Sequence, residues 1–327
     1  MENKSTHLLA DMRLVQYLKI PFDPVQFIGA GRCVFTVLFT VFTLWSCATF
    51  RYPPGPALDP APYPKYTVGT TFVYSDGTRE TVTKISPTIV TWRDGEGNRF
   101  KRSADFIYNP VEWETGRRHG TRRFSLRNQE TLWPLQKGKS IRYVEDGNWV
   151  DETGSERSYQ ALWTCEVMGT ESVSVLAGNF DAWKIVCKRY SVAATSNRSR
   201  KIEEKAWYYA PQIGHYVLTT RRFYDTRKPR RRELAAVLPP LDGLSTGQRR
   251  QLNISFQNAM EYAQSGESIY WHSAEGKLSG EITPVDTFRM PGRAFCRQYA
   301  QKLYLPDSQR SYYGIVCRDP QGRWITP

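Results

Sequence analysis

The sequence predicts a mainly β chain: a curved antiparallel β-domain followed by a small α+β domain of one helix plus an antiparallel sheet. Three observations carry that prediction. Apolar and polar residues alternate in short runs broken by Gly, Asp and Asn from Tyr66 to Tyr224, the pattern of half-buried strands joined by tight turns. Between Ser245 and Ala263 the apolar residues Leu252, Phe256, Ala259 and Ala263 recur at helical spacing instead. Past residue 47 the cysteines fall into two local pairs, Cys165 with Cys187 and Cys296 with Cys317.

Taken in order, residues 1–24 are a mixed-charge leader from which no function is read. Arg32 then opens the layout of a secretory signal: an uncharged apolar run from Cys33 through Trp45, and Ser46, Cys47 and Ala48 at its end. Leu44, Trp45, Ser46 and Cys47 resemble a bacterial lipoprotein box, although Trp45 departs from the usual small residue at its position. The resemblance implies that residues 1–46 are a leader and lipoprotein signal peptide, that the chain is cut before Cys47, and that this cysteine is lipidated. Membrane attachment would then run through the lipid, palmitate included. Two other readings stay open. The run Cys33 to Phe50 just reaches the length of a spanning helix, which would make an inner-membrane signal anchor with periplasmic domains. A buried core helix is disfavoured, because Thr36, Thr40, Thr43 and Thr49 give no polar face of helical spacing. Residues 47–65, with Pro53, Pro54, Pro56, Pro60, Pro62 and Pro64, read as a stiff proline-rich tether.

A hydrophobic content of 40% and an aromatic content of 13% exclude a disordered chain. The formal charge is +13, and removing residues 1–46 takes away four Lys/Arg and three Asp/Glu, leaving +12. In a cytosolic protein such a charge points to nucleic acid. Behind an export signal nucleic acid is not expected, and the natural partners are anionic envelope components such as lipopolysaccharide or phospholipid headgroups. An ordinary basic solvated surface explains the charge equally well. The paired cysteines suit an oxidising compartment and two disulfides, each closing a loop of about twenty residues worth roughly 3 kcal/mol. Zinc is disfavoured, since neither pair has zinc-knuckle spacing and no histidine lies nearby.

Within the β-rich exported domain, 66–224, Thr71 to Tyr74 lead into Asp76 and Gly77, a hairpin signal, with Thr81 to Ile85 as the return strand. Ile89 to Trp92 run into a second tight turn at Asp94 and Gly95. Gly69, Thr71, Phe72, Tyr74, Asp76 and Gly77 are echoed by Gly138, Ser140, Ile141, Tyr143, Asp146 and Gly147, which fits a domain of two similar halves. Trp163, Cys165 and Val167 share one strand face, as do Trp183, Ile185 and Cys187. Val173 to Phe180 followed by Trp207 to Val217 is similar to a recurrent pattern in exported bacterial β-rich domains. No catalytic handle is visible: His119, His215 and His272 are widely separated, and Asp151 beside Glu152 reads as a solvated turn. Trp92, Trp113, Trp133, Trp149, Tyr159 and Trp163 read first as core and strand residues, and second as the lining of a groove for lipid or glycan.

Residues 225–244, with the basic run Arg227 to Arg232 and the pair Pro239, Pro240, read as a linker. In 245–327, Ser245 or Thr246 caps the helix, which stops at Ser265 and Gly266. Strands follow over Ser268 to Trp271, Lys277 to Ile282, Phe295 to Tyr304, Ser311 to Cys317 and Trp324 to Ile325. Arg297 and Arg318 each follow a cysteine and so face away from it, as a basic patch or as structural arginines.

Phe256, Ala259, Gly266, Trp271, Gly276, Gly280, Thr283 and Pro284, then Cys296, Arg297, Gln298 and Tyr299, then Gly314, Cys317, Arg318, Gly322, Trp324 and Ile325 resemble the C-terminal domain of the bacterial 17-kilodalton surface antigens. The glycine-zipper repeat that many members carry upstream is missing, and Tyr66 to Tyr224 stands in its place. The resemblance implies an exported, lipid-anchored protein of the cell outer membrane. The expected role is non-enzymatic, in envelope structure or interaction, with no cofactor or metal. The alternative is a periplasmic binding module that takes a lipid or glycan on its curved β-domain.

Overall fold

The computed structural model describes residues 52–327 except 128–130, 193–199, 275–277, 293–294 and 306–307. Twelve antiparallel strands follow one another as a meander from Thr71 to Leu238. They are β1 (Thr71–Tyr74), β2 (Arg79–Ile85), β3 (Val90–Asp94), β4 (Arg99–Arg102), β5 (Glu112–Thr115), β6 (Arg118–Leu126), β7 (Ser140–Val150), β8 (Glu156–Val175), β9 (Gly178–Ser191), β10 (Arg200–Ala210), β11 (His215–Phe223) and β12 (Arg230–Leu238). Each strand pairs with the next, and β12 also pairs with β1. The curved sheet expected from the alternation is therefore closed into a barrel, which removes the edges an open sheet would expose.

Closure runs through β12. Arg230 to Glu233 pair with β11, and Leu234 to Leu238 pair with β1, with a register shift at Val73/Tyr74. Where β12 leaves β11, its Ala236 pairs instead with Gly314. Gly314 belongs to a second run of strands: β13 (Ile269–His272), β14 (Ser279–Arg289), β15 (Phe295–Leu305), β16 (Ser308–Arg318) and β17 (Trp324–Ile325). A Cβ on Gly314 would lie 2.7 Å from Ala236 Cβ and 2.8 Å from the Tyr299 hydroxyl, so only glycine allows this approach. A second core fills the join, made of Val73, Ala235 and Ala236 against Cys296, Ile315 and Cys317.

Two expectations are corrected here. Residues 225–244 are not a linker: β12 lies within them, and Leu234 to Val237 are buried. The basic run misleads because Arg232 turns inward to Glu80, at 2.9 Å, while Arg231 pairs with Glu233. Nor do the described residues of the proline-rich stretch stand off as a tether. Gly55 N–H donates to Thr170 O at 3.0 Å, Ala61 bridges to Leu135, and Ala61 and Pro64 are buried. The described residues from Tyr52 to Pro327 accordingly form one compact unit rather than two domains on a hinge.

Helix α1 (Thr246–Tyr262) starts as expected: Ser245 Oγ accepts from Gln248 N–H, and Gln248 Oε1 accepts from Ser245 N–H, a capping box. Its last turn is held from across the sheet. Arg297 donates to Met260 O at 2.6 Å and to Ala263 O at 2.9 Å, satisfying carbonyls that a helix end leaves free. Arg297 is only 6% exposed, which decides its role: it is a helix clamp, not part of a basic surface patch. Arg318 is more open and pairs with Glu261 of α1 at 3.0 Å. Trp324 completes the contact, with its indole N–H donating to Glu261 and its backbone exchanging two hydrogen bonds with the Gln257 side chain.

The echo between β1 and β7 has a structural counterpart. Gly69 and Gly138 have φ of 87° and 88°, and their N–H groups donate to Val82 O and Val167 O. Tyr74 and Tyr143 are both buried. The halves diverge at the next step. Asp76 and Gly77 turn the chain, whereas Asp146 and Gly147 stay inside β7. A Cβ on Gly147 would lie 2.3 Å from the Tyr159 ring, so the missing side chain is the seat of that ring.

Candidate functional site

The barrel interior holds a graded set of side chains that period-two alternation brings inward. At one level His215 is fully buried, its Nδ1 2.8 Å from the Tyr66 hydroxyl and its Nε2 2.9 Å from the Tyr74 hydroxyl. Phe72, Trp92, Phe106 and Tyr216 surround the imidazole. Burial pushes the His215 pKa well below its usual value, and Arg102 and Arg232 add to the effect. The ring is therefore neutral, accepting from one tyrosine and donating to the other. Nearby, Asp105 is pushed up from 3.8 to about 6 by burial, against the pull of the Ile107 N–H it accepts.

Beyond this aromatic level the inward positions become charged. Glu80 sits between Arg232, at 2.9 Å, and Arg102, at 3.6 Å. The two guanidiniums also lie on rings, Arg102 4.3 Å from the Trp92 centroid and Arg232 3.7 Å from that of Tyr74. Glu145, 1% exposed, accepts from Asn109 at 2.8 Å and from the Tyr159 hydroxyl, with Arg122 Nε 3.4 Å away. Glu203, also buried, accepts twice from Arg221, at 3.1 and 2.6 Å. Three inward carboxylates are thus each matched to arginine. Lys205 and Arg189 share this face without a carboxylate: Lys205 Nζ is 3.6 Å from the Trp207 ring centroid, and Arg189 lies over Tyr159. Burial beside Arg221 pulls the Lys205 ammonium down to about 7, with Glu203 opposing.

The cysteines are paired as expected. Cys165 and Cys187 face each other across β8 and β9, and Cys296 and Cys317 across β15 and β16. The first disulfide closes a separation of 22 residues. A Cys165→Ala/Cys187→Ala variant should therefore lose about 3 kcal/mol of stability, seen as a lower urea midpoint with a steeper slope, because the unfolded chain is no longer cross-linked and exposes more surface. Cys47 lies outside the described residues, as does Gly276.

The three histidines are not brought together. His119 is exposed on β6, His215 is sealed in the barrel, and His272 is exposed on β13. Asp151 forms a solvated turn, as expected, and accepts from Thr153 and Ser155, which hold its pKa at about 2. Of the aromatics considered for a groove, Trp92, Trp133 and Trp163 are core. Trp149 instead borders an open cleft of about 640 Å3 with His119, Asn148, Glu156 and Arg157. A smaller cavity of about 230 Å3 lies between α1 and the C-terminal sheet, against Leu252, Phe256, Tyr299, Gln301 and Trp324.

The sheet β13–β17 with the C-terminal end of α1 is the region that comparison with known proteins identifies. Residues 258–325 match the 17 kDa outer membrane surface antigen family. The surface-antigen signature expected from sequence thus holds over this unit. Among similar curated proteins, the 17 kDa surface antigen of Rickettsia prowazekii is 37% identical over 76 residues, 23% of this chain and 48% of that protein. Its counterpart in Rickettsia conorii is 33% identical over 82 residues, 25% of this chain and 52% of that one. The chain spans about half the length of the curated relatives it matches. Among solved structures, the hypothetical lipoprotein YmcC of Escherichia coli aligns over 50% of this chain and 81% of its own, with TM-score 0.35 and 10% identity. A putative exported protein with a YmcC-like fold from Bacteroides fragilis aligns over 55% of this chain and 100% of its own, with TM-score 0.31 and 14% identity. In the surface-antigen-like unit the signature residues have mechanical duties: Arg297 clamps the helix, Gly314 admits β12, Cys296 and Cys317 lock two strands, and Trp324 ties the last strand to α1.

Proposed function

We propose that this chain is a lipid-anchored outer-membrane protein with a non-enzymatic role in envelope structure or interaction. Cys47 carries the lipid, and the disulfide-locked barrel holds the surface-antigen-like unit at its flank. The observation that supports the reading best is the match of residues 258–325 to a family described as outer membrane surface antigens. Two disulfides agree with it, because such bonds persist in oxidising compartments. So does the way the signature residues are spent on holding strands and helix in place.

Metabolic labelling with a palmitate analogue tests the anchor. Wild-type chain should take up label and float with outer-membrane fractions, and Cys47→Ser should lose the label and keep its uncut N-terminal segment. Label that persists in Cys47→Ser would move the lipid to another residue, and an unlabelled wild-type chain that retains residues 1–46 would replace the lipid anchor with the spanning-anchor topology.

A further inference from the structure

The charged end of the barrel holds more cations than its carboxylates can match. Cross-strand register places Cys187, Lys205, Arg221 and Arg230 in one row across β9 to β12, so that three cations stand directly opposite one another. In the next row Arg189 stands opposite Glu203. Like charges facing across a sheet are destabilising, and here the one carboxylate within the two rows is committed to Arg221. Lys205 forms no ion pair among the described residues and rests on the Trp207 face. Arg189 Nε is buried without a hydrogen-bond acceptor among the described residues, a state that costs about 1–3 kcal/mol when nothing fills it.

We propose that this end of the barrel binds a phosphate group, seated between Lys205 Nζ and the guanidiniums of Arg189 and Arg221. Adjacent strands are about 4.8 Å apart, close enough for side chains on β9, β10 and β11 to reach one tetrahedral anion from three sides once Lys205 swings off the Trp207 ring and Arg189 off the Tyr159 ring. Charge selects the ligand class: with Lys205 protonated, as an anion beside it would favour, three cations less Glu203 leave two positive charges, the complement of a phosphate monoester. Guanidinium forks suit its oxygens. Arg221 keeps one terminal nitrogen free of Glu203, since only its Nε and Nη2 are used there, and its side chain is 37% exposed, so this arm of the site meets solvent. The low pKa of Lys205 fits a cation kept for an anion. The inference rests on the barrel alone and is independent of the anchor at Cys47.

Calorimetric titration of the full chain in detergent with inorganic phosphate, glycerol 1-phosphate and monomeric dihexanoyl phosphatidylglycerol tests it. The expected result is saturable one-to-one binding of at least one probe, weakened tenfold or more in Lys205→Met and in Arg189→Met. Lys205→Arg should stay within threefold of wild type, and so should Arg323→Gln on the distant β16–β17 turn. Tighter binding of the diester assigns the site to a lipid headgroup, and tighter binding of inorganic phosphate assigns it to a free anion. Affinity for the diester, which does not titrate in this range, should fall severalfold from pH 6 to 8.5, and Lys205→Arg should abolish that fall. The charged groups facing Lys205 are Arg189 on β9, Glu203 on β10, Arg221 on β11, Arg230 and Arg232 on β12, and Arg102 on β4. Lys205→Met removes a penalised buried charge, so it should fold with a thermal midpoint at or above wild type. Absence of saturable heat with all three probes overturns the proposal, as does equal affinity of wild type and both methionine variants.

Discussion

Replacing Arg297 with methionine is expected to lower the stability of the chain by about 4 kcal/mol, the largest single effect predicted for the C-terminal unit. The side chain donates to Met260 O and Ala263 O at the end of α1, and it is almost fully buried. Methionine fills much of the same space, so packing is largely kept and the loss is of hydrogen bonds. Two carbonyls at a helix end then lack donors, each costing about 1–3 kcal/mol. Lysine does no better, because one ammonium on a different stem does not reproduce a fork that spans two carbonyls three residues apart. Urea unfolding monitored by Trp fluorescence and by far-UV circular dichroism would show the effect. An Arg297→Met midpoint equal to wild type would show that the two bonds to the helix end do not stabilise the chain.

A second large effect is expected at His215. His215→Phe strands the Tyr66 and Tyr74 hydroxyls in the barrel, and the cost should reach about 4 kcal/mol. It should also change the pH dependence. In the folded chain the imidazole stays neutral to well below its usual pKa. The unfolded chain therefore binds a proton near pH 6.5 that the folded chain refuses, and stability falls as pH drops, by up to about 1.4 kcal/mol per unit. Asp105 acts in the opposite sense. Its folded pKa is raised from 3.8 to about 6, so between those values the folded chain holds the extra proton and stability rises as pH drops. The two slopes oppose each other below pH 6. Asp105→Asn should therefore steepen the acid loss of stability between pH 6 and 4, and His215→Phe should flatten or reverse it. Urea midpoints at half-unit intervals from pH 4 to 8 decide the matter; parallel curves for wild type and Asp105→Asn would refute the opposition.

Much of the strand architecture is legible in the sequence, and the reasons are local. Trp163, Cys165 and Val167 alternate with polar neighbours, and Trp183, Ile185 and Cys187 keep the same period despite Val186 between the last two, so facing and disulfide pairing follow from period two. Ser245 and Gln248 mark the start of α1 by their own hydrogen bonds. What sequence reasoning missed is non-local. Arg230 to Arg232 look like a solvated linker because Arg232, which turns inward, is matched by Glu80, far away on β2, and no spacing along β12 shows that. The prolines of 53–64 lack N–H groups and look like a spacer, yet Gly55 and Ala61 supply the backbone bonds that dock the segment.

The candidate site was obscured for a related reason. In β10 the residues Glu203, Lys205, Trp207 and Tyr209 share one face, and their period is visible. A charged half and an aromatic half on one face read as a strand leaving the core. The barrel keeps both halves inside, because Arg221 from β11 neutralises Glu203 and the Trp207 ring covers Lys205. The signal that was available is Gly147 with Tyr159: a glycine within a strand marks a seat for a ring.

The sharing of β12 between barrel and C-terminal sheet bears on how this chain would be used as an immunogen. In the whole chain the outer faces of β1 and β12 cover Cys296, Ile315 and Cys317. A fragment of residues 245–327, cut where the sequence pattern alone places the boundary, would display that face to serum. Antibodies raised against it would include a class that recognises the fragment and never meets its epitope on the intact protein.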